Sequence, residues 1–341
     1  MSSNFEKRGY VNHRNDILFY DENPGFRHKA QRILGATGSR IIIPESLEEL
    51  KQVVLTHDPA VRILGLEGHQ YLTKEVKHSI KKPSILISEE PFGKIYPFLT
   101  SVETMTNFVA KNKNDRARGK DLLTTVAKIL YNDIFGIDKY IGWGASSLVL
   151  HVRNSKTRGE YIETILHYCR NLGLRQKHID SIEIFCEELI MNALFNAPRD
   201  QDNNPRFEDT IRTEEITLSP IEAARIEIGS DGERLAISVS DPFGAIDRDT
   251  ILEYLSKCFD GDHSASKSEK KKGAGLGLFM CFNAVSHFVV NVCPGLRTEI
   301  IGLFDIDLSV KESRQNHPSF HYFATSNTAT QFRLNGKAKA G

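Results

Sequence analysis

One stretch decides how the second half of this chain folds: residues 186–197, CEELIMNALFNA. Apolar residues recur here every three or four positions, which predicts a helix with one buried face. Glu188, Asn192 and Asn196 follow one another at four-residue intervals, so the helix would stack a carboxylate and two amides in a row beside that face. Such a row suits a hydrated Mg²⁺ with a positioned water or hydroxyl. It also suits a merely solvated helix edge, and the stretch alone leaves both interpretations open.

The composition predicts a packed globular protein. The chain has 341 residues, enough for two domains, and is 40% hydrophobic and 26% charged. Lys+Arg and Asp+Glu both number 44, so the net charge is zero. This balance argues against a nucleic-acid binder that works through bulk positive charge.

The cysteines and the apolar runs indicate in which cellular compartment the protein is expected. Five cysteines show no C-x-x-C spacing and several lie in apolar runs, so we expect buried free thiols in a reducing environment. No apolar run reaches membrane-spanning length, and the N-terminus lacks a signal-peptide core. We therefore expect a cytoplasmic protein without a membrane partner.

The first third alternates strand and helix patterns. Apolar runs typical of buried strands lie at residues 16–23, 39–43, 61–66, 84–88 and 107–111. Helical patterns lie between and after them, at residues 27–34, 47–55, 71–81 and 121–131. This alternation predicts a doubly wound parallel sheet, a flavodoxin-like α/β domain over residues 14–131.

Polar residues at the ends of these strands resemble the receiver domain of response regulators. Asp21 and Glu22 end the first strand, where that family has its Mg²⁺-binding acids. Ser88 ends the fourth strand, where the family has Ser or Thr, and Lys111 ends the fifth, where it has Lys. The other interpretation of the acids is a solvated loop after a strand.

The third strand departs from the receiver pattern. Residues 61–67 carry no aspartate at the strand end, where the phosphoacceptor should stand, and Asp58 lies in a turn before the strand. The resemblance therefore implies a pseudo-receiver that is not phosphorylated. Glu67 imitating a phosphoaspartate is a weaker alternative.

Residues 132–145 are expected to link this domain to the next. They contain the only tryptophan, Trp143, together with Phe135 and Tyr140. These aromatics suit either a compact segment between domains or a partner-binding surface, and the sequence does not separate the two.

The second half mixes helices with hairpins. A strand is predicted at 148–152 and a helix at 158–173, closed by Gly173 before the helix that contains Glu188. Two hairpins follow, over 224–240 with an Asp-Gly turn and over 288–304 with a Pro-Gly turn, and a last strand at 320–323.

Two further motifs point to a ligand. Asp241 ends a strand, where a buried carboxylate can accept a hydrogen bond from an exocyclic amine such as that of adenine, and Gly244 would let the backbone pass close to a base. A lysine-rich run then leads into Gly273, Gly275 and Gly277, which open a helix. A glycine-rich loop before a helix suits phosphate, although a lone loop also serves ordinary turns.

The order of these motifs resembles the GHKL ATP-binding fold of gyrase, heat-shock chaperones, histidine kinases and mismatch-repair proteins. The resemblance covers about residues 140–330 and is strongest to anti-sigma-factor serine/threonine kinases, whose asparagine box matches residues 188–193. It implies an α/β sandwich over residues 146–334 that binds ATP and Mg²⁺.

The resemblance implies a role for each motif residue. Glu188 would be the general base that activates the attacking hydroxyl or water, and Asn192 would ligate Mg²⁺ on the phosphates. Asp241 would hold the adenine amine, and Thr298 would support that hydrogen bond. The phosphates would be cradled by backbone groups at Gly273, Gly275, Gly277 and Leu278.

The adenine motif departs from the family in one place. The common pattern has glycine two residues after the aspartate, where this chain has Phe243. Gly244 comes one residue later, so the adenine floor is expected to be shaped differently.

The resemblance implies a signalling regulator that phosphorylates Ser or Thr of a partner, an anti-sigma antagonist or a sigma-factor-like protein. The alternative is a non-catalytic module that captures the partner when ATP orders a lid over residues 265–272. An atypical histidine kinase is disfavoured because neither His151 nor His167 is followed by the Glu and Pro of a phosphoacceptor helix. A homodimer is plausible because domains of this type often pair.

Overall fold

The computed structural model describes residues 15–76, 82–112, 118–207, 209–256, 276–308, 312 and 315–326. The chain divides between Asp133 and Ile134 into two compact units. In the part of the chain that the structure describes, no helix is long and apolar enough to cross a membrane.

The N-terminal unit is built on five parallel strands in the order β2-β1-β3-β4-β5. The strands are β1 (Ile17–Tyr20), β2 (Ile41–Ile42), β3 (Val61–Gly65), β4 (Ser84–Ser88) and β5 (Met105–Ala110). The helices are α1 (Pro24–Gly35), α2 (Leu47–Thr56), α3 (Leu66–Glu75), α4 (Phe92–Ser101) and α5 (Arg118–Tyr131). This strand order is that of flavodoxin-like folds, so the predicted receiver-like fold is confirmed.

Both faces of this sheet are buried. Along β1, Ile17 and Phe19 enter one apolar cluster, whereas Leu18 and Tyr20 enter another. Successive side chains of a strand point to opposite faces, so helices must cover both sides of the sheet. Because both faces of each strand are buried, the strands are uniformly apolar in the sequence.

The C-terminal unit has a mixed sheet in the order β11-β9-β10-β8-β7-β6. All neighbouring pairs are antiparallel except β11 with β9. The strands are β6 (Ser147–Val152), β7 (Ala224–Ser230), β8 (Arg234–Asp241), β9 (His287–Cys293), β10 (Arg297–Asp305) and β11 (Ser319–Ala324). Both predicted hairpins are present, β7 with β8 and β9 with β10.

Among the described residues, four α-helices accompany this sheet: α6 (Arg158–Asn171), α7 (Gln176–Met191), α8 (Arg248–Ser256) and α9 (Leu276–Ala284). α7 and α9 pack against each other and against β10. The approach is close because Gly302 lacks a side chain: a Cβ there would lie 2.5 Å from the ring of Phe185 and 2.9 Å from Val285. The ring of Phe185 also contacts that of Phe304 edge-on.

The segment expected to be a linker instead begins the second unit. Phe135, Ile137 and Tyr140 are buried, whereas Trp143 is fully exposed. The backbone N–H of Gly136 donates to the buried carboxylate of Glu299 on β10 at 2.9 Å. A buried carboxylate needs such partners, so this bond fixes the segment on its own unit.

Candidate functional site

The predicted row of polar residues spans the end of α7. The chain continues into a π-helical turn, Asn192–Asn196, in which the N–H of Ala197 donates to the carbonyl of Asn192 at 2.9 Å. Such turns are rare and often lie at functional sites. The turn packs against β8, the strand that ends in Asp241.

Hydrogen bonds join the row into a chain. The amide Nδ2 of Asn192 donates to Oε1 of Glu188 at 3.1 Å, and Nδ2 of Asn196 donates to Oδ1 of Asn192 at 2.6 Å. Asn196 is exposed, as expected of a residue without an assigned role. The oxygen atoms of Glu188 and Asn192 are of the ligand type that Mg²⁺ prefers.

Arg212 joins this row from outside the motifs. Its NH1 lies 3.6 Å from Oε2 of Glu188, and the Glu188 side chain is 19% exposed. Arg212 lies in the irregular chain before β7, with no spacing or periodicity that connects it to Glu188. Only the folded chain brings the two together.

The first turn of α9 contacts the same carboxylate. A Cβ added to Gly277 would lie 2.2 Å from both Cδ and Oε2 of Glu188. The predicted glycine loop therefore ends at the polar row, as the proposed phosphate site requires. The side chain of Leu278 is buried, so only its backbone could serve a phosphate. Gly273, Gly275 and the expected lid at 265–272 lie outside the described residues.

Asp241 is buried at the end of β8, directly opposite Thr298 on β10. Its Oδ1 accepts the N–H of Phe243 at 2.9 Å, and the Thr298 hydroxyl also donates to the carboxylate. Burial raises the pKa of Asp241 to about 6, although these hydrogen bonds and the positive charge of Arg199 act in the opposite direction. The structure thus brings Asp241 and Thr298 together, as the sequence predicts.

Arg199 is a second residue that the motifs did not indicate. Its NH1 donates to the carbonyl of Asn196 at 2.6 Å and to that of Ala197 at 3.2 Å, at the end of the π-helical turn. The positive charge of the same guanidinium opposes the rise that burial causes in the pKa of Asp241. Arg199 therefore connects the polar row electrostatically to the proposed adenine end.

Gly244 has a structural reason to be glycine. Its φ is +61°, and a Cβ would lie 2.2 Å from the carbonyl oxygen of Cys293 and 2.7 Å from the amide nitrogen of Leu296. The residue packs against the turn between β9 and β10, and its carbonyl accepts the N–H of Gly295 at 3.2 Å. Its part in an adenine floor stays a prediction.

The N-terminal unit gathers its own charged residues. Nζ of Lys111 lies 2.9 Å from Oδ2 of Asp21 and 3.5 Å from Oε1 of Glu22, and Asp21 is fully buried. Ser88 is also buried, and its hydroxyl accepts the N–H of Glu90 at 3.1 Å. The structure thus joins Asp21, Glu22 and Lys111, the residues on which the receiver resemblance depends.

Gly65 ends β3, where the receiver pattern requires an aspartate. A Cβ there would lie 2.2 Å from Oε2 of Glu22 and 3.2 Å from Oδ2 of Asp21, so the position faces the acids. Asp58 lies before the strand and pairs with Lys82 at 3.0 Å. Glu67 lies in the first turn of α3, outside the strand.

A dedicated protein cage for a metal is absent from the described ranges, which hold no group of three or more His, Cys, Asp or Glu side chains placed to bind a metal ion. This does not conflict with the proposed Mg²⁺ site. Mg²⁺ is usually held by one or two protein oxygens together with substrate phosphates and water. Asn192 fits that limited role.

Comparison with solved structures finds response-regulator proteins that match the N-terminal third. A response regulator from Thermotoga maritima is 14% identical with a TM-score of 0.29, covering 34% of this chain and 98% of its own. The Thermotoga maritima response regulator TrrA, solved with Mg²⁺-BeF, is 22% identical with a TM-score of 0.26 and the same coverage. A CheY-like receiver protein from Methanospirillum hungatei is 14% identical with a TM-score of 0.29, covering 35% and 98%.

No protein-family model matches the chain, and no curated protein matches it.

Proposed function

We propose that the C-terminal unit binds Mg-ATP and transfers its terminal phosphate to Ser or Thr of a regulatory protein partner. One observation carries the proposal: the Glu188 carboxylate contacts Asn192 on one side and Gly277 on the other. The proposed base, the proposed metal ligand and the start of a phosphate-binding helix therefore meet at one place.

Each end of the nucleotide has a group suited to it. The buried carboxylate of Asp241 accepts hydrogen bonds, which suits the exocyclic amine of adenine. The N-terminus of α9 suits the phosphates because its first N–H groups have no partner within the helix. When bound, Mg²⁺ would neutralise charge on the phosphates, with Oδ1 of Asn192 as its protein ligand.

Glu188 is positioned to act as a base. Asn192 donates to its Oε1 and Arg212 faces its Oε2, so the orientation of the carboxylate is fixed from two sides. A base that is already oriented accepts a proton from a hydroxyl without first reorganising. The Glu188 carboxylate would take the proton of the attacking Ser or Thr as the hydroxyl oxygen bonds to the γ-phosphorus. The bond from that phosphorus to the oxygen bridging it to the β-phosphate would break, and ADP would leave.

The N-terminal unit is proposed to regulate without being phosphorylated. Its β3 ends in Gly65, which has no side chain to accept a phosphoryl group. Lys111 is already paired with Asp21 and Glu22. Lys111 therefore neutralises part of the charge of the two acids, and the end of β3 offers them no phosphoacceptor.

The same contacts support a second candidate, an ATP-gated module that captures a partner without transfer. Both oxygens of Glu188 already have partners, so the carboxylate could serve to order the site instead of accepting a proton. The two candidates share the nucleotide site and differ only in transfer.

The two candidate functions are distinguished by measuring the transfer of label from γ-labelled ATP to co-purified proteins. Glu188→Ala should abolish labelling and keep ATP binding. Glu187→Ala is the matched control, because its side chain points to Arg158 at 2.8 Å. Labelling by Glu188→Ala at the wild-type rate would refute the base assignment. ATP binding by the wild type without any labelling would select the gated module.

A further inference from the structure

Arg212 orients Glu188 in the proposed function but has no role there toward the nucleotide. It lies in the irregular chain between the π-helical turn and β7, and its side chain is 43% exposed. The nearby Arg206 instead pairs with Glu222. Among the ion pairs of the described residues, Arg212 is the one arginine of this irregular segment whose guanidinium reaches Glu188.

Two positively polarised groups meet at the Glu188 carboxylate. One is the guanidinium of Arg212, 3.6 Å from Oε2. The other is the N-terminus of α9, whose Gly277 contacts the same oxygen. A helix N-terminus favours an anion, and an arginine favours carboxylate or phosphate. In this structure Glu188 supplies that anion.

A terminal phosphate carries more negative charge than a carboxylate and has three acceptor oxygens. It would therefore compete for the Arg212 guanidinium at this position. The partial exposure of Arg212 and its location outside helix and strand leave its side chain room to turn from one anion to the other.

We propose that Arg212 recognises the terminal phosphate of a nucleoside triphosphate, and that Glu188 occupies Arg212 until that phosphate arrives. The inference rests on the proposed function. When the guanidinium turns to the phosphate, Oε2 of Glu188 becomes free to accept the hydroxyl proton, while the hydrogen bond from Asn192 to Oε1 still orients the carboxylate. The site would in this way distinguish triphosphate from diphosphate and expose its base only when the donor is bound.

Titration of the full chain with ATP and with ADP, each with Mg²⁺, tests the recognition. Arg212→Ala should weaken ATP binding by about tenfold or more and change ADP binding by less than about twofold. Arg212→Lys should fall between, since lysine keeps the charge without the planar fork. Arg206→Ala, the matched control, should leave both affinities unchanged.

A double-mutant cycle tests the competition. Glu188→Gln should raise ATP affinity several-fold when Arg212 is present, because the guanidinium is no longer held, and should not raise it in Arg212→Ala. Equal loss of ATP and ADP affinity in Arg212→Ala, or additive effects in the cycle, would overturn the inference and leave the proposed function standing. A wild-type chain that binds neither nucleotide would overturn both.

Discussion

The Glu188 carboxylate lies directly against the backbone of Gly277, so closely that a Cβ at Gly277 would come within 2.2 Å of Oε2. This contact joins the end of the glycine motif to the start of the asparagine motif, although 89 positions (277 − 188) separate the two residues in the sequence. Each is a weak signal alone, and their contact supports one common site.

The first prediction concerns this contact. Gly277→Ala should push the Glu188 carboxylate away from Asn192 and Arg212 and lower the free energy of unfolding by about 1–2 kcal/mol. Urea unfolding measures the change. Because Glu188→Ala removes the clash, the double variant should be less destabilised than the sum of the single variants.

Gly159→Ala is the control for this experiment. A Cβ at Gly159 meets nothing within 4 Å, and the residue lies in α6. Alanine should therefore stabilise the protein slightly there. Strictly additive effects of Gly277→Ala and Glu188→Ala would contradict the contact.

The second prediction concerns the buried carboxylate of Asp241. Its pKa in the folded chain is about 6, above the ordinary value of 3.8, so folding favours the protonated form. Its contribution to stability is therefore greatest below about pH 4, declines as the pH rises through 6, and is constant above. The cost of the ionised form at pH 7 is roughly 3 kcal/mol, as an order of magnitude.

Asp241→Asn should accordingly be more stable than the wild type at pH 7 by about 1–3 kcal/mol, and the difference should vanish near pH 4. Urea unfolding across this pH range measures it. Asp249→Asn, whose side chain is 86% exposed in the wild type, should show no comparable gain. If Asp241→Asn is less stable than the wild type at pH 7, burial of the ionised Asp241 carboxylate does not destabilise the folded chain.

The third prediction concerns the buried pair of Lys111 and Asp21, 2.9 Å apart. Lys111→Met should cost about 3–5 kcal/mol because it leaves the Asp21 charge buried without a partner. Asp21→Asn in the same chain should restore part of the loss. Lys94→Met is the control, since Lys94 and Glu90 form an exposed pair worth less than about 1 kcal/mol.

The fourth prediction concerns Gly65. The wild type should take up no phosphoryl group in its N-terminal unit from a small acyl phosphate with Mg²⁺, as measured by the mass of that unit after proteolysis. Gly65→Asp should take it up, because the half-exposed Glu22 can turn aside and leave the new carboxylate beside Asp21. Labelling of the wild-type unit would contradict the pseudo-receiver assignment.

Patterns of local origin predicted much of the fold. The uniformly apolar strands of the first unit and the turn residues of both hairpins are visible in the sequence because buried strands and tight turns restrict residue type at each position. α4 is the exception: the 23 positions (111 − 88) from Ser88 to Lys111 leave room for a helix, but no helical pattern stands out there. α4 carries Pro97 within the helix, which obscures its pattern.

Contacts between distant residues could not be predicted in this way. Arg199 and Arg212 reach the candidate site from irregular chain, where side chains follow no period. The placement of residues 134–141 on the second unit depends on the buried Glu299, which nothing in the segment itself indicates. Gly244 is a different case. The motif assigns this glycine to adenine, but its close packing against the turn between β9 and β10 already explains why the residue is glycine.

Calorimetric titration of the full chain with ATP, with and without Mg²⁺, tests the central claim most directly. The wild type should bind ATP saturably. Asn192→Ala should weaken binding only when Mg²⁺ is present, because Asn192 acts through the metal, whereas Asp241→Ala should weaken it in both conditions. Absence of ATP binding by the folded wild type, or variants that bind as it does, would contradict the nucleotide site.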